Sequence, residues 1–347
     1  MTQDSRLMKQ LGSSLPLIVA PMAGGPSSPA LVATASKAGA LGSVGAAYQT
    51  PSAITEFAQQ IRRQTDAPFA INLFVPHPQP MLGAHQIDSA IAATSIYRDE
   101  LGLPTPVLSA PFEEDFELQF EAALRARPAA ISFVFGVLPS HYMRMARAAG
   151  ILLIGTATSL LEAKVLEESG VDAIVLQGFE AGGHRGVFDA NGEDLEIGLF
   201  DLIAACRPAI ARPLIAAGGI MNATDVRNAL STGVQAVQMG TAFLACIEAG
   251  TSAPYRARLL EHSIRRTKTS RVYSGRLARG IENRFMREME QRMEAVLPFP
   301  AQNKFTRDLR AASAAKGCGD LLSLWSGSSP GSLWQGSARE LIEDLFA

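Results

Sequence analysis

Several common chemistries leave no trace in this 347-residue chain. It has three cysteines, Cys206, Cys246 and Cys318, too far apart for a C-x-x-C pair. That argues against a disulfide framework and a structural zinc site and suits a reducing compartment. No spacing of His, Cys, Asp and Glu resembles a metal site, so no metal is expected. Neither G-x-G-x-x-G nor G-x-x-x-x-G-K-[ST] is present, which removes support for a classical dinucleotide fold and for a P-loop. Charge is also scarce: 18% of residues are charged, the formal net charge is −2 and the pI is near 6.2. Nothing in that balance calls for a nucleic-acid or membrane-surface partner. The uncharged run from Leu11 to Ser36 contains Pro16, Pro21, Pro26 and Pro29, so it is no membrane helix. A cytoplasmic protein is expected.

What is present is a rhythm. Short apolar runs bounded by Gly or Pro recur at 15–21, 41–45, 69–75, 129–136, 151–156, 172–178, 212–219 and 234–240. Between them lie Ala-, Leu- and Glu-rich stretches with 3.6-residue apolar spacing, several closed by Gly. Runs that are apolar throughout suit strands covered on both sides by helices, and this alternation is that of a parallel α/β protein. Eight such units argue for a (β/α)8 TIM barrel over an open doubly wound sheet, although strand count alone does not prove closure. Residues 1–244 are read as the barrel, with an insertion at about 76–127 that holds one more strand-like piece, PVLSAP. Residues 245–315 are read as a helical cap or substrate domain, and 316–347 as a segment returning to the barrel. Residues 256–292 carry eleven Lys or Arg against four Glu. A solvated helical face explains this better than an anion-attracting surface.

In such a barrel the chemistry lies just past the strand ends. AAGGI (216–220) follows the seventh run and QMGTAF (238–243) the eighth. Small residues at two adjacent strand-to-helix turns predict a phosphate cradle of backbone amides and helix N-termini. Asn72 and Gln177 place amides at strand ends, where they suit the edge of a heteroaromatic ring or tie loops together. In QGFEAGGHRG (177–186), Gly182 and Gly183 let the backbone approach a flat ligand, and His184 follows at the rim as proton acceptor or anion holder. The other histidines, His77, His85, His141 and His262, have no such setting.

PLIVAPMAGG (16–25), AINLFVP (70–76), ISFVFG (131–136), GTATSLLEA (155–163), GVDAIVLQGFEAGGHRG (170–186), LIAAGGI (214–220) and VQMGTAF (237–243) together resemble the nitronate monooxygenases, formerly 2-nitropropane dioxygenases. The resemblance runs in order over most of the chain. It implies FMN bound without a covalent link by Met22, Asn72, Gln177, Gly182, Gly183, Gly218, Gly219, Gln238, Met239, Gly240 and Thr241, with the phosphate near Gly219, Gly240 and Thr241. It implies His184 as the catalytic histidine, and Phe133, Phe299 and Lys304 as substrate contacts. The implied reaction is oxidation of an alkyl nitronate, such as propionate 3-nitronate, by O2 to a carbonyl compound and nitrite, through single-electron transfer to the flavin. Phe299 stands where family members acting on propionate 3-nitronate tend to carry Tyr, with Lys304 or Arg307 as substitutes for the lost donor. WSGS (325–328) stands where W-A-G-Q is common.

Two other functions compete on the same residues. One is an NADH-dependent flavin reductase of this fold, acting on an enoyl thioester or a quinone. The other is a flavin-binding or regulatory protein without turnover. Flavin bleaching by NADH marks the first, and a flavin inert to every donor marks the second.

Overall fold

The computed structural model describes residues 5–261, 266–329 and 331–347; His262 and Arg265 lie outside them. The strands are β1 (Leu17–Val19), β2 (Gly42–Gly45), β3 (Phe69–Phe74), β4 (Ala130–Val134), β5 (Leu152–Ala157), β6 (Ala173–Gln177), β7 (Gly183–His184), β8 (Leu214–Ala217), β9 (Ala236–Met239), β10 (Thr267–Ser270) and β11 (Ala278–Ile281). Eight of them form one parallel sheet in the order β1-β9-β8-β6-β5-β4-β3-β2. The ends meet through a parallel bridge from Ile18 to Leu41. Val19 N–H donates to the Leu41 carbonyl and Leu41 N–H to that of Leu17, both at 2.9 Å. The sheet is therefore a closed TIM barrel.

Local sequence starts the outer helices. Ser28 caps Pro29–Lys37 by accepting from Leu31 N–H, and Thr50 caps Pro51–Arg62 by accepting from Ala53 N–H. In both, proline fills the first turn, where a missing N–H costs no bond. The lumen is narrow and lined at its lower end by Ala70, Ala130, Ala173 and Ala236, with Ile18, Ile154 and Ile215. Leu7, Met8 and Leu11, on and just after the N-terminal helix Arg6–Gln10, pack into the same cluster. One end of the barrel is thus plugged, which leaves the C-terminal mouth as the open one.

The cap departs from the helical expectation. It holds a small antiparallel sheet, β10-β11-β7, whose third strand is the histidine segment itself. Ala278 pairs with His184 and Arg279 with Gly183, so the predicted loop is clamped as a sheet edge. The insertion also supplies part of the cap: Ala93, Tyr97 and Leu101 of helix Ala84–Leu101 share a core with Val272, Tyr273, Phe285, Met286, Met289 and Leu309. PVLSAP is irregular, because Pro104, Pro106 and Pro111 remove ladder donors there.

Residues 324–329 cross the barrel mouth. Ser328 N–H donates to the Glu180 carbonyl at 3.0 Å, Gly327 N–H to Thr241 Oγ1 at 3.0 Å, and Ser329 Oγ to the Gly219 carbonyl at 2.9 Å. Helix Ala338–Leu345, opened by a Ser337–Glu340 capping box, then lays Leu341, Ile342 and Leu345 into the barrel's outer core. Gly182 is the position this crossing needs: a Cβ there would stand 2.5 Å from the Ser326 carbonyl carbon. Backbone on backbone cannot yield as a side chain tip can. Gly182→Ala is expected to lower stability by about 1–3 kcal/mol, read as a reduced Tm; an unchanged Tm would mean that the crossing segment is not seated there.

Candidate active site

The strand ends and the crossing segment line a partly open cleft at the C-terminal mouth of the barrel. Met22, Asn72, Gln177, Gly182, Gly183, Gly218, Gly219, Gln238, Met239, Gly240 and Thr241 all line it, as does His184.

These residues are not equally free. Asn72 Nδ2 donates to Ser132 Oγ at 3.0 Å. Gln177 buckles its own loop: Nε2 donates to the His184 carbonyl at 2.9 Å, while Oε1 accepts from Gly186 N–H at 2.8 Å and Arg185 Nη1 at 3.0 Å. The Gln238 amide has no partner among the described residues.

The predicted cradle differs in its source of donors. Helix Ala223–Ser231, after β8, is capped by its own Asn222, which takes the Thr224 and Asp225 N–H groups, while Asp225 takes that of Met221. After β9 comes only a three-residue 3₁₀ turn, Thr241–Phe243, not a helix. The donors left over are the loop amides of Gly218, Gly219, Ile220, Gly240 and Thr241, which have no partner among the described residues. Gly218 and Gly219 at φ +113° and +75° turn the backbone as only glycine readily does. A concave run of free amides of this kind fits a phosphate. Thr241 Oγ1 accepts from Gly327 and keeps its own proton to give.

Above this floor stands an aromatic wall. His184 has Trp325 at 5.6 Å, Phe135 at 5.8 Å, Phe74 at 6.0 Å and Phe299 at 6.4 Å between ring centroids. Phe135 is fully buried at φ +79°, a strained conformation for a bulky residue. Arg276 lies on its face, 3.9 Å from the centroid, which is cation–π distance.

Two predicted substrate contacts lie elsewhere. Phe133 points away from the lumen into the core between strands and helices, because β4 alternates and Ser132 and Val134 take the inner face. Lys304 Nζ is exposed and donates to the carbonyls of Ser109 and Pro111, holding the insertion. Phe299 does stand in the wall. Sequence reasoning passed over Tyr48, Phe74, Phe135, Ser274, Arg276, Arg310 and Trp325. Two of these were findable: Phe74 is two residues past Asn72 on the same face of β3, and Phe135 directly follows β4.

The charges that act on His184 have one sign. Burial pushes the His184 imidazole down to about 3, and Arg276 and then Arg310 add to the shift, so it stays neutral at ordinary pH. Arg276, 2% exposed, gives Nη1 to the Val187 carbonyl at 2.8 Å and Nη2 to that of Phe188 at 3.3 Å. Its Nε is buried without a partner among the described residues. Burial, reinforced by Arg271, lowers it to about 10, so it remains charged. Arg310 donates to Thr306 and Asn303, and its Nη1 is unpartnered among the described residues. Neither guanidinium has a carboxylate partner among them. Tyr48 also lines the cleft, and burial raises its phenol to about 12 against the pull of Arg310 and Arg307.

Fold and cleft define a class first: a TIM barrel with a cleft built at the C-terminal ends of its strands. A model of the family described as nitronate monooxygenase matches residues 5–347, and the chain belongs to that family. A probable nitronate monooxygenase of Bacillus subtilis (strain 168) is 37% identical over 346 residues, 98% of each chain. One of Staphylococcus aureus (strain Newman) is 37% identical over 95% of this chain and 93% of its own. Among solved structures, a nitroalkane oxidase from Streptomyces ansochromogenes superposes with TM-score 0.90 at 32% identity, covering 98% of this chain and 96% of its own. FabK from Thermotoga maritima gives 0.74 at 25%, covering 99% and 94%.

A pH prediction follows from His184. Its folded pKa is depressed from the ordinary 6.5 to about 3, so below 6.5 the unfolded chain binds a proton that the folded chain refuses. Stability from this residue is complete above 6.5 and declines as pH falls toward 3. Urea unfolding across that window is expected to show a shallower loss for His184→Asn than for the parent, by up to about one proton in slope. Parallel curves would show that the imidazole is not held neutral.

Proposed function

We propose that the protein binds FMN and oxidises alkyl nitronates with O2 to a carbonyl compound and nitrite. The observation that carries this is a pair of buried guanidiniums near His184, Arg276 and Arg310, which bond to backbone carbonyls and the Asn303 amide and form no ion pair among the described residues. Asp189 and Glu162 act on Arg276 and Asp308 acts on Arg310 without forming ion pairs with them, so a nitronate anion would be the group that pairs with these guanidiniums directly. A neutral nitroalkane needs a base, and an imidazole held unprotonated down to about pH 3 is a weak one.

The loop amides at 218–220 and 240–241 would hold the phosphate, and Gln238 and Asn72 would meet the ring edge. When bound, FMN supplies the capacity to accept electrons from the substrate and pass them to O2. His184 binds the nitronate oxygen by hydrogen bond, and Phe74, Phe135, Phe299 and Trp325 exclude water around it. Arg310 Nη1 and the Tyr48 hydroxyl provide a place for a second anionic group, as in propionate 3-nitronate, in compensation for the hydroxyl that Phe299 lacks. The similarity to FabK keeps one alternative, NADH-dependent reduction of the flavin in the same cleft.

Purified protein is expected to show a flavin spectrum that identifies as FMN on release. Anaerobic mixing with propionate 3-nitronate should bleach it rapidly and mixing with NADH should not; bleaching by NADH alone assigns the chain to the reductases. His184→Asn is expected to lose about 10²–10³ in kcat/KM on nitronates, and unchanged turnover would remove the histidine from the chemistry. Arg310→Met should raise KM for propionate 3-nitronate by about 10–100-fold, the worth of a charged hydrogen bond. KM for an unsubstituted alkyl nitronate should move far less; equal effects on both would place Arg310 outside the substrate site.

A further inference from the structure

We propose that Asn303 is a specificity-determining residue: its neutral amide holds Arg310 in place and leaves the guanidinium its charge for a second anionic group on the nitronate. Asn303 Oδ1 accepts from Arg310 Nη2 at 2.8 Å, and the Asn303 carbonyl accepts from the same nitrogen at 2.9 Å. Arg310 Nε donates to the Thr306 carbonyl at 3.3 Å. These acceptors fix one side of the planar fork, and none of them carries a charge.

The side that remains is Nη1. It has no partner among the described residues and is not among their buried unpaired atoms, so it opens to free space. The groups on which Arg310 acts identify that space: His184 and Tyr48 both line the cleft. The charges around Arg310 are Arg307, which shares its sign, and Asp308. Both oxygens of Asp308 are engaged by Arg98, at 2.7 and 3.1 Å.

Asn303 differs from other buried amides of the cap. Gln302 gives Nε2 to the Val272 carbonyl and takes the Leu297 N–H on Oε1. Asn283 gives Nδ2 to the carbonyls of Gly319 and Leu322 and takes the Tyr273 hydroxyl and the Met286 N–H on Oδ1. Each is bonded at both ends, as an amide that only ties the fold together should be. Asn303, 3% exposed, uses only its oxygen among the described residues, and its Nδ2 is not a buried unpaired atom either. For holding a guanidinium a carboxylate is the stronger partner, because both groups are then charged. An aspartate of the same shape would cancel the cation, whereas the amide keeps its orientation and leaves it unpaired. The substrate named here rests on the nitronate reading; the geometry does not.

The test replaces that amide by its carboxylate. Asn303→Asp is expected to raise KM for propionate 3-nitronate about 10–100-fold, the worth of a charged hydrogen bond, with a smaller change in kcat. KM for propyl-1-nitronate, which lacks the second anionic group, should move far less. Asn303→Ala keeps the cation, and the carbonyls of residues 303 and 306 still hold it, so its effect on the first KM should be well below that of Asp. Equal effects of Ala and Asp, or equal shifts on both substrates, overturn the role. The new ion pair should leave Tm at or above the parent's; an Asp variant that loses its fold shows that the carboxylate does not meet the guanidinium and overturns the placement. Calorimetric titration of the purified protein with 3-nitropropanoate needs no turnover: the parent should bind it, and Asn303→Asp should bind it about tenfold or more weakly. That difference in a protein inert to nitronates keeps the subsite and refutes the reaction, and a parent that does not bind the probe refutes the subsite.

Discussion

The guanidinium of Arg185 is the interaction on which the site depends. It is 0% exposed and paired with Asp194 at 2.5 Å, itself buried. Its Nη1 also reaches the Gly178 carbonyl at 2.6 Å and Gln177 Oε1 at 3.0 Å. A charge this deep is tolerated only when its donors are satisfied, and breaking such a pair costs about 3–5 kcal/mol. What the cluster achieves is local: it folds the chain back on the end of β6 so that the next residues run out as a sheet edge. His184 is positioned because Arg185, its neighbour, is immovable.

The basic stretch of the cap repeats this use of arginine. Arg271 donates to the carbonyls of Ala190 and Gly192, Arg276 to those of Val187 and Phe188, and Arg279 to that of Phe179. All five carbonyls belong to the connection between β6 and β8, which has few ladder partners of its own. Arg256 does the same for Ala245 and Cys246, and Arg292 for Ala93. Arginine suits this work because several donors leave one planar group on a long stem. The solvated helical face expected from the charge count is in large part a set of stitches between cap and barrel.

Much of this was legible in the sequence. Eight apolar runs became the eight barrel strands because a strand buried on both faces must be apolar throughout, a pattern that tertiary context does not disturb. The histidine segment and the two glycine loops also stood out, the loops because they follow the seventh and eighth runs, where barrels commonly bind phosphate. What stayed hidden depends on facing. Phe133 and Phe135 look alike in a list of residues, and only the pleat of β4 sends one into the core and the other into the wall. Gly182 reads in the sequence as room for a ligand; it does line the cleft, and residues 326–327 also press on it where a Cβ would stand. Ser274 and Arg310 come from the cap, ninety or more positions beyond His184, and no local spacing reveals that they meet the same cleft.

The electrostatics of the cleft explain why its cations are arginines. A lysine buried beside an aromatic wall readily gives up its proton, because desolvation disfavours the ammonium and its intrinsic affinity is modest. Arg276 is lowered to about 10 and still stays charged at neutral pH. Its Nη1 and Nη2 donate to the carbonyls of Val187 and Phe188, dipoles that hold a cation without cancelling it, while its Nε has no partner among the described residues. The nearby carboxylates are engaged with other groups: Asp194 is bound to Arg185, Asp308 to Arg98, and Glu162 to the Thr158 and Phe188 N–H groups. A folded chain can therefore keep cations near a neutral imidazole without pairing them directly to carboxylates. In a chamber of low dielectric that residual charge acts at full strength on whatever anion enters.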